Sequence, residues 1–219
     1  MKMTYITVSR WTAKFTLAVA LVAVSATAQD LVLYKAQPNG KMKIDGTSTV
    51  HDWTVESGII GGSFEIDPKF PADPEVKTPP AKGKVNAKAA ITIPISSLKS
   101  GSNPMDQVVR QAMKMEEHPK ISFTLKEFTF TGADDKTGAW KFDTKGELAI
   151  SGVTKPASFE VTMDRVSKVR LKFSGTTKLK MTDFGIQPPA PKIALGAIST
   201  GDEVTLSWDW VVAKPMDAK

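Results

Sequence analysis

Few residues in this chain suit a nucleophile or a metal centre. It has 219 residues, no cysteine and only two histidines, His51 and His118. Without thiols there is no zinc–thiolate site, cysteine nucleophile or haem attachment. The two imidazoles are far apart in sequence and form no HxxxH pair, so a histidine-rich metal site is not expected. Glu116-Glu117-His118 reads as a polar helix end rather than a ligand set. No GxSxG, P-loop or GxGxxG is present. Asp183-Phe184-Gly185 matches a kinase tripeptide, but no glycine-rich loop, VAIK lysine or HRD accompanies it, so the match is chance. Asp134-Asp135 and Glu116-Glu117 read as solvated pairs. An enzyme would need two carboxylates with shifted pKa values converging at a cavity mouth. The expectation is a protein that is not an enzyme.

What the chain does carry is apolar side chains at regular spacing. The stretch 96–125 (SSLKSGSNPMDQVVRQAMKMEEHPKISFTL) organises the rest. Met105, Val108, Val109, Ala112 and Met113 fall on one helical face. Asn103 suits the N-cap, Pro104 the first helical position, and Asp106 the positive end of the helix dipole. Pro119 disfavours helix at His118. The spacing therefore predicts one short helix over 104–117. Its apolar face either covers a sheet or borders a ligand cavity.

On both sides of this helix the period is two. Val85, Ala87, Ala89, Ile91, Ile93 and Ile95 form the longest clean alternation. Ile121, Phe123 and Leu125 share one face; so do Phe142, Thr144, Gly146, Leu148 and Ile150. Residues 152–156 (GVTKP) read as a turn, after which Phe159, Val161 and Met163 return. Val169, Leu171 and Phe173 alternate with basic residues, and Val204, Leu206, Trp208, Trp210 and Val212 share a parity. Near the start, Asp45-Gly46 is a turn signal. In 47–57, Thr49, His51, Trp53 and Val55 are placed inward, with His51 as a satisfied core histidine. Gly58, Gly61 and Gly62 suggest a bulge or sharp bend. Residues 67–82, with five prolines, read as an exposed loop or hairpin extension.

About eight strands with hairpin-like connections and one helix describe an all-β protein. An antiparallel sheet of that size removes its edges by closing into a barrel. Eight strands leave an interior that side chains fill or that holds one ligand. The inward set is apolar and favours a greasy molecule. A filled barrel that presents the 67–82 loop to a partner is the alternative.

The chain opens on a secretory address. Lys2, Arg10 and Lys14 precede an apolar run at 15–26, and Ala26-Thr27-Ala28 is a small-x-small cleavage site. A run of 12 is too short to span a bilayer, so no stable membrane span is expected in the mature chain. Cleavage leaves a single domain, residues 29–219, in the periplasm or outside the cell. It also lowers the formal net charge from +6 to +3. The lysines alternate along strands without interleaved aromatics, which argues against nucleic-acid binding. Without disulfides, stability must come from a core.

Four segments resemble the YceI-like family of polyisoprenoid-binding proteins, secreted bacterial proteins with a lipocalin-like barrel. These are 46–53 (GTSTVHDW), 93–106 (IPISSLKSGSNPMD) with 118–123 (HPKISF), 146–156 (GELAISGVTKP) and 182–186 (TDFGI). The chain departs from the family pattern in four places. Met105-Asp106 stands for Arg-Asp, and His118-Pro119 for Tyr-Pro. Lys180-Met181 stands where a basic residue precedes TDFG, and residues 71–80 are a long insertion. The resemblance implies an extended eight-stranded antiparallel barrel with a polyisoprenoid or other amphiphilic lipid in its lumen. That lipid, isoprenoid or quinone-like, is a ligand and not a cofactor. A homodimer is compatible with the sequence. The lumen candidates are Ile91, Ile93, Phe123, Leu125, Leu148, Ile150, Phe159, Val161, Leu171, Phe173, Leu206 and Trp208. The mouth candidates are His51, Asp106 and Arg110.

Overall fold

The computed structural model describes residues 30–190, 192–193 and 196–215. The expected leader, residues 1–28, lies outside the described residues. The strands are β1 (Val32–Ala36), β2 (Lys41–Ser48), β3 (Trp53–Ser57), β4 (Gly61–Ile66), β5 (Gly83–Lys84), β6 (Ala87–Pro94), β7 (Lys120–Ala133), β8 (Trp140–Ile150), β9 (Val153–Ser167), β10 (Arg170–Lys180), β11 (Lys192–Ile193), β12 (Gly196–Ala197) and β13 (Thr200–Ala213), with the helix α1 (Asn103–Ala112) between β6 and β7.

Three barrel strands are interrupted, which is why more than eight segments make eight staves. β1 and β2 both pair with β13, at Ala36↔Val212 and Lys41↔Asp209, so they are one stave with a two-residue slip at 37–40. β3 and β4 form the next stave, broken at Gly58–Ile60 as the glycines suggested. Gly62 has φ +121, and a Cβ there would run into the Ala90 carbonyl. β5 and β6 both pair with β7 and make the third stave. Then β7, β8, β9, β10 and β13 follow as antiparallel neighbours, and β13 returns to β1 and β2. The result is a closed eight-stranded antiparallel barrel with one α-helix among the described residues, as the periodicity predicts.

Alternation sets the inside. Along β8, Trp140, Phe142, Thr144, Gly146, Leu148 and Ile150 are buried while Asp143, Lys145 and Glu147 are exposed. One end of the barrel is solid with aromatics. Phe128 stacks on Phe142 at 4.1 Å, and Phe173 lies 4.7 Å from Phe64. The proline-rich segment 67–82 folds back onto this end, not outward. Phe70 packs edge-on against Trp140. The Arg165 guanidinium lies 3.8 Å over the Trp140 ring and donates to the carbonyls of Asp73 (3.0 Å) and Val76 (2.6 Å).

Several local expectations are corrected. Asp45-Gly46 is not a turn but part of β2; the glycine leaves room for the Trp53 ring, which lies across it from β3. The hairpin turn is 49–52 instead, so Thr49 and His51 are exposed and off the inward face; His51 is not a core histidine. Trp53 and Val55 do face inward. The β8–β9 turn is carried by Ser151 (φ 50) and Gly152 (φ 82), and residues 153–156 already belong to β9.

The helix begins at Asn103 with Ser102 as its N-cap, and it ends at Ala112. Residues 113–117 leave through a left-handed residue, Lys114 (φ 52). There Lys114 N–H donates to the Gln111 carbonyl at 3.0 Å and Met115 N–H to the Arg110 carbonyl at 2.9 Å, a Schellman closure, while the Met113 carbonyl accepts from Ser151 Oγ at 3.0 Å. The helix therefore stops before Pro119 can act.

Candidate functional site

Two apolar chambers lie one above the other in the barrel. The upper, of about 530 Å³, sits between α1 and the open end; Met105, Val108, Val109 and Met113 form its roof. Val55, Ile150, Leu179, Met181, Phe184 and Ile186 form its walls. The lower, of about 110 Å³, lies in the lumen proper. Ile121 and Leu206 line both, so the two are adjacent.

Just below that boundary is an aromatic arch. Phe123 of β7 lies across Gly146 of β8 and reaches Phe159 of β9, with ring centroids 5.3 Å apart. From the other side, Trp208 of β13 lies across Gly175 of β10 and meets Phe159 edge-on at 5.4 Å. A Cβ at either glycine would occupy the space of the ring. Large rings from alternate strands thus cover glycines on the strands between them, narrowing the lumen to a waist.

The polar side chains of the lower chamber are Ser122, Thr144 and Thr177, with the indoles of Trp208 and Trp210, and the buried Trp210 Nε1 has no hydrogen-bond partner among the described residues; none of the described side chains lining it is ionisable. Thr144 Oγ1 donates to the Phe159 carbonyl at 2.9 Å. The upper chamber meets charge at its rim, where Lys180 and exposed His51 lie. Among the described residues no three His, Asp or Glu side chains converge as metal ligands.

Of the twelve lumen candidates, ten line the lower chamber: Ile91, Ile93, Phe123, Leu125, Leu148, Phe159, Val161, Phe173, Leu206 and Trp208. Ile150 lines the upper one, as does Leu206. Leu171 lines neither; it is fully buried in the closed end. The mouth candidates do not form one group. His51 stands on the upper rim, whereas Asp106 and Arg110 line neither chamber. Asp106 is buried against the β6–α1 connection, accepting from Ser100 N–H and Ser100 Oγ, both at 2.7 Å. Those two donors, with Lys99 and Arg110 beyond at 3.6 and 3.7 Å, hold its carboxyl below the ordinary aspartate range.

The serines before the helix are structural in the same way. Ser97 Oγ donates to the Pro94 carbonyl at 2.6 Å and lies 2.7 Å from Ser57 Oγ. Glu56 and Lys99 exchange backbone hydrogen bonds of 2.8 Å. On the far side of α1 the His118 ring lies where a Cβ on Gly152 would go. These contacts fix α1 as a roof at a set height. The upper walls Leu179, Met181, Phe184 and Ile186 are not among the lumen candidates, although 182–186 carries part of the family resemblance. Leu179 and Met181 alternate with lysines, and Phe184-Gly185 resembled a chance tripeptide. In the fold, Gly185 (φ 65) caps a 3₁₀ turn that buries Phe184.

Comparison with known proteins agrees with this architecture. The family model described as a YceI-like domain matches residues 42–212. A UPF0312 protein of Azotobacter vinelandii is 35% identical over 133 residues, 58% of this chain and 59% of that protein. A UPF0312 protein of Pseudomonas putida is 30% identical over 160 residues, 68% of this chain and 77% of the other. Among solved structures, a polyisoprenoid binding domain from Saccharophagus degradans superposes with a TM-score of 0.61 at 12% identity, covering 84% of this chain and 99% of that one. Burkholderia cenocepacia BcnA gives 0.57 at 16% identity, covering 78% and 95%. At these identities the likeness is one of fold.

Proposed function

The chain belongs to the YceI-like family, and from that premise we propose that it binds and carries a polyisoprenoid or other amphiphilic lipid, with no reaction performed on it. The observation that carries this reading is the state of α1. Its apolar residues Met105, Val108, Val109 and Ala112 are only half-buried, because they roof a cavity of about 530 Å³ instead of packing on a filled core. An ordinary amphipathic helix buries such a stripe. Each methylene that enters the chambers contributes roughly 0.8 kcal/mol. The polar end of the ligand remains at the rim beside His51 and Lys180. A periplasmic or secreted location, reached through the leader at 1–28, and a quinone-like ligand as one form of the isoprenoid complete the proposal.

The test is organic extraction of the mature protein from a native-like host, followed by lipid mass spectrometry. A stoichiometric isoprenoid or quinone is the expected result. An empty extract, with no uptake of added long-chain polyprenol, would overturn it. The folded double variant Phe123→Glu/Ile150→Glu should bind no polyprenol, since each glutamate puts a carboxylate into one chamber.

A further inference from the structure

The barrel wall is incomplete on one side. The ladder between β9 and β10 runs from Arg170↔Ser167 to Gly175↔Val161 and stops. On their other flanks both strands stay paired, β9 with β8 as far as Val153↔Ile150 and β10 with β13 as far as Lys180↔Glu203. The facing edges toward the α1 end, 153–160 and 176–180, therefore carry no rungs to one another. Pro156 stands in the unpaired half of β9 and has no N–H to offer. Burial agrees with the ladder. Ala157, Phe159, Thr177 and Leu179 face inward but are only half-buried, whereas Leu148, Ile150, Val204 and Leu206 on the paired strands are at most 8% exposed.

The slot has a hinge and a latch. At its closed end Trp208 lies across Gly175, the last residue of β10 paired with β9, and meets Phe159. At its open end Lys155 Nζ reaches Asp183 Oδ1 at 3.4 Å, joining β9 to the 3₁₀ turn after β10. Both partners are about half exposed, and an exposed pair of this kind is a weak fastening. Phe159 and Thr177 line the lower chamber and Leu179 the upper, so the slot runs beside both.

We propose that this slot is the portal by which an apolar chain enters the lumen, sideways along its length rather than threaded end-first under α1. The inference rests on the lipid-carrier reading. Threading would draw every segment of the chain through the aromatic waist, so loading would slow as the chain lengthens. Sideways entry needs only that two strand edges without shared hydrogen bonds move apart, which is a low-cost local opening.

The absence of cysteine in the chain makes the test direct. Ser158 and Lys178 are exposed and would face each other if the β9–β10 register continued. The variant Ser158→Cys/Lys178→Cys, bridged by a bifunctional maleimide, is compared with its unbridged form in stopped-flow loading of fluorescent farnesyl and longer polyprenyl probes. The unbridged protein should load both at similar rates, and bridging should slow both at least tenfold while leaving equilibrium affinity in place. Binding with loading unaffected by the bridge overturns the portal alone. No equilibrium binding by the unbridged protein overturns the carrier reading and the portal with it. Lys155→Gln, which removes the latch without a bridge, should speed loading by up to about fivefold; an unchanged or slower rate also counts against the portal.

Discussion

At the scale of the residue, the lumen is shaped as much by its glycines as by its rings. Phe123, Phe159 and Trp208 can be placed inside from parity, since the side-chain period of a strand is two. That Gly146 and Gly175 lie beneath Phe123 and Trp208 cannot, because it depends on the register of two strand pairs, β7–β8 and β10–β13, that no local pattern fixes. The same limit explains Gly46, which looks like half of an Asp-Gly turn and is instead the floor under Trp53. These contacts predict the behaviour of Gly175→Ala. The added methyl occupies the space of the Trp208 ring and forces it off Gly175. Overpacking of this kind costs about 1–3 kcal/mol. The expected outcome is a lower urea midpoint, a shifted tryptophan emission and weaker polyprenol binding. Unchanged emission and affinity would show that the arch does not form the waist.

At the scale of the element, helix, loop and strand types are legible, while their attachments are not. One helix is visible in the spacing of Met105, Val108, Val109, Ala112 and Met113. Its early end at Ala112 is a Schellman closure around left-handed Lys114, and with lysine instead of glycine at that position no local signal announces it. The proline-rich 67–82 segment is correctly a loop, yet Arg165, about ninety residues on, draws it over the closed end. Asp106 follows the same pattern. Its place in the first turn suggests a dipole partner or a mouth group, whereas its carboxylate anchors the segment that leads into the helix. Its folded-state pKa is lowered, chiefly by the Ser100 backbone N–H and hydroxyl, then by Lys99 and Arg110. A lowered carboxylate contributes stability that is present above the unfolded aspartate value of about 3.9 and is lost as pH falls through the folded one. Asp106→Asn should therefore reduce the urea midpoint at pH 7, and its deficit against wild type should shrink as pH drops below about 4. A deficit independent of pH would mean that the carboxylate charge plays no part in holding the roof.

At the scale of the whole molecule, closure follows from composition and pattern, but the volume enclosed does not. Eight amphipathic strands without disulfides must bury their apolar face against one another, and a closed barrel does so without leaving edges. Whether the inward side chains then meet depends on strand tilt and stagger, which the three interrupted staves and the unfinished β9–β10 ladder alter locally. A chain with two apolar chambers has a thermodynamic signature that a filled barrel lacks. A ligand that binds only the folded state adds RT ln(1 + [L]/Kd), about 2.7 kcal/mol at a hundredfold excess over Kd. For a domain of this size each kcal/mol raises Tm by roughly 2–4 °C, so saturating polyprenol should raise it by about 5–11 °C. Phe123→Glu/Ile150→Glu should show no rise, because both chambers then hold a carboxylate that the chain would have to desolvate. Differential scanning calorimetry on delipidated protein separates the cases. A Tm that ignores polyprenol in the wild type is the behaviour of a filled barrel, and a rise kept by the double variant would place the lipid outside the lumen.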